Sequence, residues 1–277
     1  MRILSSVTEL RAWRAQQGEV ALVPTMGNLH AGHLHLVEQA KVRAECVVVS
    51  IFVNPMQFGA HEDLDRYPRT FREDCEQLER LGTDAVFAPA VDEIYPRGLA
   101  EQTAITVPHI SDILCGASRP GHFTGVATVV CKLFNMVQPT LACFGEKDYQ
   151  QLQVIKLMTQ DLALPVEVVG IPTVRATDGL ALSSRNGYLN STEREQAPAI
   201  YAAIQAAAHA VQQGQAVADV EAQLAQLLEQ AQLRVDYVAI RRQLDLAEPQ
   251  QDDHQLVVLV AAYAGTTRLI DNLQFQR

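Results

Sequence analysis

Apolar side chains run along this chain in two rhythms. Short unbroken runs rich in Val and Ile stand at residues 19–23, 46–53, 84–88, 141–144 and 166–170. Between them lie longer stretches, 34–45, 70–81, 126–137 and 149–162, that read as helices. Residues 126–137 are apolar on most sides, which predicts a buried helix. The run "CVVVSIFV" at 46–53 is β-branched and has no regular polar alternation. A strand covered on both faces of a parallel sheet has that character. Strands separated by helices of this length predict βαβ units and an open parallel sheet, hence an α/β fold.

The rhythm changes near 171–187. Residues 192–213 and 216–232 read as two Ala/Gln-rich helices, and 235–240, 255–262 and 268–271 as short strands with no helix between them. The expectation is an α/β domain over 1–175 followed by a smaller C-terminal α+β domain over 176–277. No internal repeat is visible.

Composition narrows the class. The chain has 277 residues, 48% hydrophobic and 19% charged, enough for a packed core without long disorder. No apolar run approaches the roughly 20 residues of a membrane span, and the start, "MRILSSVTELRAW", lacks the apolar core of a signal peptide. A cytoplasmic protein is expected. The net charge of −10, with no Lys/Arg cluster longer than Arg241-Arg242, argues against a nucleic-acid partner. Five dispersed cysteines (46, 75, 115, 131, 143) form no CxxC pair and read as reduced core thiols.

The chemistry begins at residues 23–36, "VPTMGNLHAGHLHL". A strand ends, two glycines and three histidines follow, and a helical pattern starts. Ligands of open parallel sheets bind beyond the carboxyl ends of the strands. Free N–H groups and the positive end of a helix dipole favour an anion there. Gly27 and Gly32 let backbone approach a ligand, and His30 and His33 can donate to phosphate oxygens and exchange protons near neutral pH. Neither GxxxxGK[ST] nor a GxGxxG after the first strand is present, so a P-loop and a typical dinucleotide fold are both unsupported. On these residues alone a phosphate site, a histidine metal site and purely structural histidines all stay open, and His35 reads as a histidine without a role.

Longer stretches carry a resemblance. "PTMGNLHAGH" (24–33) is similar to the HIGH-type signature of the nucleotidyltransferase superfamily shared with class I aminoacyl-tRNA synthetases. "SIFVNPMQF" (50–58), "SRPGHFTGVATVV" (118–130), "FGEKDYQQL" (144–152) and "DGLALSSRNGYL" (178–189) resemble, in that order, the pantothenate synthetase (pantoate–β-alanine ligase) family. The likeness is weaker in the last 80 or so residues, apart from "RLIDN". It implies a Rossmann-like ATP- and pantoate-binding domain under a hinged lid. It also implies a homodimer, small-molecule partners only (ATP, pantoate, β-alanine), and Mg2+ accompanying ATP. The implied reaction condenses pantoate with β-alanine through pantoyl-adenylate, releasing pyrophosphate and AMP. Substrates supply both nucleophiles, so the protein has to orient reactants and stabilise phosphate charge.

The resemblance assigns ATP to Met26, Gly27, Asn28, Leu29, His30, Ala31, Gly32 and His33, to Gly145, Glu146, Lys147 and Asp148, to Val174, and to Leu182, Ser183, Ser184 and Arg185. His33, His30, Lys147 and Arg185 are the expected catalytic groups, with His33 the proton donor. Asp148 reads either as a helix N-cap or as a carboxylate for Mg2+. Gln57, Gln151 and Asn54 are implied pantoate contacts, Gln57 also lying near β-alanine. Arg119 and His122 stand either beside the pocket or at a loop-to-helix turn built on Pro120-Gly121. One departure is Cys115, where the family often has an acidic residue. It puts in doubt a local ion pair for Arg119.

Overall fold

A computed structural model describes residues 1–59, 62 and 64–277. The chain divides into two compact units. The first holds Met1–Glu146 and Gln151–Pro172, the second Lys147–Gln150 and Thr173–Arg277.

In the first unit six strands, β1 (Arg2–Leu4), β2 (Val20–Thr25), β3 (Cys46–Ile51), β4 (Ala85–Phe87), β5 (Leu141–Gly145) and β6 (Glu167–Ile171), form one sheet in the order β1-β4-β3-β2-β5-β6. Every pairing in it is parallel. The connecting helices are α1 (Val7–Arg14), α2 (Ala31–Lys41), α3 (Phe71–Arg80), α4 (Val91–Ile94), α5 (Cys115–Ser118), α6 (His122–Val137) and α7 (Tyr149–Asp161), whose first two residues are counted with the second unit. The middle of the sheet is covered on both faces, with Val20–Val23 and Val48–Val49 at zero exposure. That burial explains the absence of polar alternation in these strands.

Chain order reverses at β2. From β2 the chain steps to β3 and β4 on one side, and later returns to β5 on the other. Loops leaving the carboxyl ends of β2 and β5 therefore diverge and open a crevice, the usual binding place in such sheets.

The second unit is an antiparallel sheet, β7 (Arg234–Arg242), β8 (Gln255–Ala264) and β9 (Thr267–Gln276), with α8 (Ser191–Gln196), α9 (Ala199–Gln212) and α10 (Val217–Gln230). Ile200, Ile204, Val220, Leu224 and Leu228 share one core with Leu256, Val258 and Val260 of β8.

Three local expectations need correction. The helix expected over 192–213 is two, because Pro198 has no N–H to continue the α8 ladder, so α8 stops and α9 begins afresh. The strand expected over 268–271 is ten residues long, since full pairing with β8 carries polar Asp271, Asn272 and Gln274 along with the apolar positions. The first strand and helix, β1 and α1, go beyond what the apolar runs predicted. β1 has three residues, and α1 is fixed by the Ser6/Glu9 capping box as well as by Leu10.

Candidate active site

β2 ends at Thr25, whose hydroxyl donates to the Ser50 carbonyl at 2.8 Å and accepts the Gly27 N–H at 3.2 Å. The chain then turns through positive φ at Gly27 (81°) and Asn28 (50°). A Cβ on Gly27 would lie 3.1 Å from Asp74 Oδ2 and 3.2 Å from the Ile51 side chain, and would carry a strained φ as well. Asp74, buried in α3, accepts the N–H groups of Asn28 (2.9 Å) and Leu29 (2.8 Å) and the Thr70 hydroxyl (3.2 Å). The turn is thus held from below by one carboxylate, and Leu29 packs into the sheet core.

His30 is the N-cap of α2. Its Nδ1 accepts the Gly32 N–H at 3.1 Å, which leaves Nε2 to carry the proton of a neutral ring. His33 follows one turn on, and the two ring centroids are 4.1 Å apart. This is what an i, i+3 pair does on a helix. His35 lies toward the surface beside Glu38, 3.4 Å away.

The 3-10 turn Pro55–Gln57 meets this loop: Gln57 Nε2 contacts the Met26 sulfur at 3.3 Å. Asn54, 1% exposed, has its amide wholly engaged inside the protein. Its Nδ2 donates to Gln57 Oε1 (3.0 Å) and the Gly125 carbonyl (3.1 Å); its Oδ1 accepts the Met56 N–H (3.2 Å) and the Tyr95 hydroxyl (2.7 Å). Gly125 is where α6 touches the turn. A Cβ there would sit 2.4 Å from the Met56 carbonyl oxygen, so no side chain fits. Arg119 Nε donates to Glu62 at 2.7 Å, and Arg119 Nη1 lies 3.0 Å from His122 Nε2. His122 Nδ1 is 2.8 Å from the Gln57 carbonyl. Glu62 therefore supplies the acidic partner for Arg119 despite Cys115, which is buried. Gln151 stands half-buried in the first turn of α7.

Gly145, the last residue of β5, and Glu146 close the first stretch of the first unit; Lys147, Asp148, Val174 and Leu182–Arg185 belong to the second unit. Val174 accepts the Leu182 N–H at 3.0 Å, and Arg175 bridges to Ala181. This short antiparallel contact leads into Ser183, which caps the 3-10 turn Ser184–Tyr188 by accepting the Arg185 N–H at 3.2 Å. Arg175 forks onto Asp271 at 2.6 and 2.8 Å and stacks 3.5 Å from the Tyr201 ring centroid. The neighbouring Asn272 donates to the Lys147 carbonyl at 2.9 Å. "RLIDN" thereby ties the Lys147 segment to the strand-like stretch before the serine loop. Asp148 ends the 3-10 turn Glu146–Asp148, half exposed, with Lys147 Nζ 3.9 Å away. Among the described residues no group of three His, Cys, Asp or Glu could hold a metal.

Asp74, Tyr95 and Gly125 are not among the residues the sequence points to, although Gly125 stands inside "SRPGHFTGVATVV". The only cue for Asp74 was a carboxylate in an otherwise amphipathic helix; Tyr95 offered none.

A parallel sheet with its switch point at β2, and an imidazole-capped helix at the carboxyl edge, defines an α/β enzyme that binds ligands beyond its strand ends. The family model described as pantoate-beta-alanine ligase matches residues 2–274. A pantothenate synthetase of Idiomarina loihiensis is 62% identical over 274 residues, 99% of this chain and 98% of that protein. The crystal structure of the Thermus thermophilus pantothenate synthetase superimposes with a TM-score of 0.92 at 47% identity, covering 99% of each chain. That of the Francisella tularensis pantoate-beta-alanine ligase, complexed with beta-gamma ATP and beta-alanine, gives 0.83 at 34%, covering 99% of this chain and 97% of that one. The chain belongs to the pantoate-beta-alanine ligase family.

Proposed function

We propose that this enzyme condenses (R)-pantoate with β-alanine at the expense of ATP, through a pantoyl-adenylate. Family membership over nearly the whole chain supports the reaction. The single structural observation that carries the assignment of residues is the His30–His33 pair on the first turn of α2, at the end of the loop whose Met26 sulfur meets Gln57 Nε2.

A carboxylate is a poor acyl electrophile because oxide is a bad leaving group. Attack of the pantoate carboxylate on the α-phosphorus of ATP expels pyrophosphate and gives the acyl carbon a good leaving group. The β-alanine amine then attacks that carbon, and AMP leaves with the electrons of the acyl–oxygen bond. In this reading His30 and His33 donate to phosphate oxygens, with His33 the proton donor as charge develops. Helix α2 adds its N-terminal dipole. Lys147 and Arg185 supply fixed positive charge, and Ser183 and Ser184 donate to the triphosphate. Gln57 and Gln151 hold pantoate, with β-alanine near Gln57. Asn54, spent on internal bonds, positions Gln57 rather than touching substrate.

Mg2+ fits this donor set only as a companion of ATP. One half-exposed carboxylate, Asp148, matches a cation that keeps waters and takes most of its ligands from phosphates. When bound it would neutralise phosphate charge. A cytoplasmic location is consistent with five free thiols, and no described helix is long and apolar enough to cross a membrane. The homodimer is carried over from the family resemblance alone.

ATP–pyrophosphate exchange tests the reading. Exchange should require pantoate and proceed without β-alanine; adding β-alanine should then release AMP. Exchange that is absent with pantoate, or that another acid supports better, overturns it.

A further inference from the structure

Two backbone groups decide which way the Asn54 amide faces. The Met56 N–H can only donate and the Gly125 carbonyl can only accept, so Oδ1 must face the former and Nδ2 the latter. A flipped amide would set donor against donor and acceptor against acceptor. That orientation propagates in both directions. Nδ2 must find an acceptor in Gln57, so Gln57 turns Oε1 inward and Nε2 outward, where the outward group meets a soft sulfur, Met26 Sδ at 3.3 Å. Oδ1 must find a second donor, and Tyr95 provides it at 2.7 Å.

Tyr95 is well placed for that task. It lies just after α4, 1% exposed, its ring beside Phe52 (centroids 6.2 Å apart) and under Lys132 Nζ at 5.4 Å. A phenylalanine would fill the same space. Burial pushes the phenol well above its ordinary range, so the hydroxyl keeps its proton and remains a donor.

We infer that Tyr95 is a positioning residue for the acid substrate: its hydroxyl reinforces the Asn54 orientation that the Met56 N–H and Gly125 carbonyl set, and so holds the Gln57 amide with an N–H donor, not a carbonyl, toward pantoate oxygen atoms. The inference deepens the proposed function and rests on its placement of pantoate at Gln57. The chemical consequence is selectivity. Carboxylate and ether or hydroxyl oxygens are accepted at this point, whereas an analogue presenting an ammonium or amide N–H there meets a second donor and is rejected.

The experiment is a double-mutant cycle of Tyr95→Phe and Gln57→Ala, read as KM for pantoate and for ATP in pyrophosphate exchange. Tyr95→Phe should raise the pantoate KM by about fivefold to tenfold, the scale of one buried hydrogen bond, and leave the ATP KM nearly unchanged. In a Gln57→Ala background the Tyr95→Phe effect should vanish. A purely structural role would move both KM values or neither, and would persist without Gln57. If Gln57→Ala raises the pantoate KM and Tyr95→Phe does not, the positioning role is overturned while pantoate at Gln57 stands. If Gln57→Ala leaves the pantoate KM alone, both fall. Should Tyr95→Phe not fold, the isosteric Asn54→Asp replaces it. Its new oxygen faces Gln57 and the Gly125 carbonyl as an acceptor where a donor stood, so at some cost in stability it reverses the Gln57 amide and should raise the pantoate KM still further, with the ATP KM nearly unchanged. An unchanged pantoate KM in Asn54→Asp overturns the inference.

Discussion

Asp74 and Leu29 are 45 residues apart in sequence, yet Asp74 Oδ1 accepts the Leu29 N–H at 2.8 Å. The same carboxylate takes the Asn28 N–H through Oδ2. The loop before α2 therefore depends on a group from a different helix. A carboxylate has acceptors on both oxygens, whereas an asparagine has one acceptor and one donor. In Asp74→Asn the new NH2 group faces one of the two backbone N–H groups, leaving buried donors opposed. The expected loss of stability is about 1–3 kcal/mol, read as a lower urea midpoint at constant slope. The loop carries His30, so pyrophosphate exchange should fall as well. An unchanged midpoint would show that the two backbone groups do not depend on this carboxylate.

His30 and His33 share a helix turn but have separable jobs. His30 caps α2 through Nδ1. His30→Ala should cost about 1 kcal/mol as a lost N-cap, and His30→Asn should recover most of it. Neither substitution restores the ring Nε2, so both should lower adenylate formation. His33 has no capping role, and His33→Ala should slow single-turnover adenylate formation by roughly 10²–10⁴-fold, the range of a lost acid–base group. ATP affinity should change far less. Equal losses in binding and in rate would remove His33 from the chemical step.

Which of these features the sequence displays follows a physical division. β2, β3 and β5 are legible because a strand buried on both faces must be apolar without alternation, and α2 because strand, glycine turn and helix follow one another locally. The close approach of the His30 and His33 rings is contained in their spacing. The partners across the fold are not legible. Nothing in "FREDCEQLER" says that Asp74, rather than Glu73 or Glu76, turns inward beneath the loop at 27–29. "RLIDN" is visible as a motif, but its work, pairing Asp271 with Arg175 and bonding Asn272 to the Lys147 carbonyl, appears only when β9 is laid beside β8. Asn54 shows the converse. A polar residue in a recognised motif invites a substrate role, while its geometry spends every donor and acceptor internally.

Arg175 and Asp271 make a forked ion pair in which Asp271 is 4% exposed. Removing one partner leaves the other charge uncompensated in a site with little water. Asp271→Ala should cost about 3–5 kcal/mol. Arg175→Lys keeps the charge but cannot reproduce the two parallel bonds or the stacking on Tyr201. It should be intermediate in thermal stability. Because Arg175 lies between Val174 and the turn leading to Leu182, both variants should also weaken ATP in equilibrium binding. Retained ATP affinity at reduced stability would separate the ion pair from the nucleotide loop.

The buried thiols make stability fall on the alkaline side. Burial pushes Cys143 in β5 up to about 11, with Glu167 adding to the rise and Arg43 opposing it. An unfolded thiol titrates near roughly 8.5. Between these values the native state holds a proton that the unfolded state has released, so the stabilisation is complete below the lower value and lost as pH rises through the upper one. One such group contributes a slope of about 1.4 kcal/mol per pH unit within that window. Cys46, Cys75 and Cys131 are raised in the same direction, as is the Tyr95 phenol. Urea unfolding at pH 8, 9 and 10 should show a declining free energy. Cys143→Ala, although less stable at pH 8 for lack of packing, should decline less steeply by one proton's worth. If wild type and variant run parallel across those three values, the Cys143 thiol is not the group responsible.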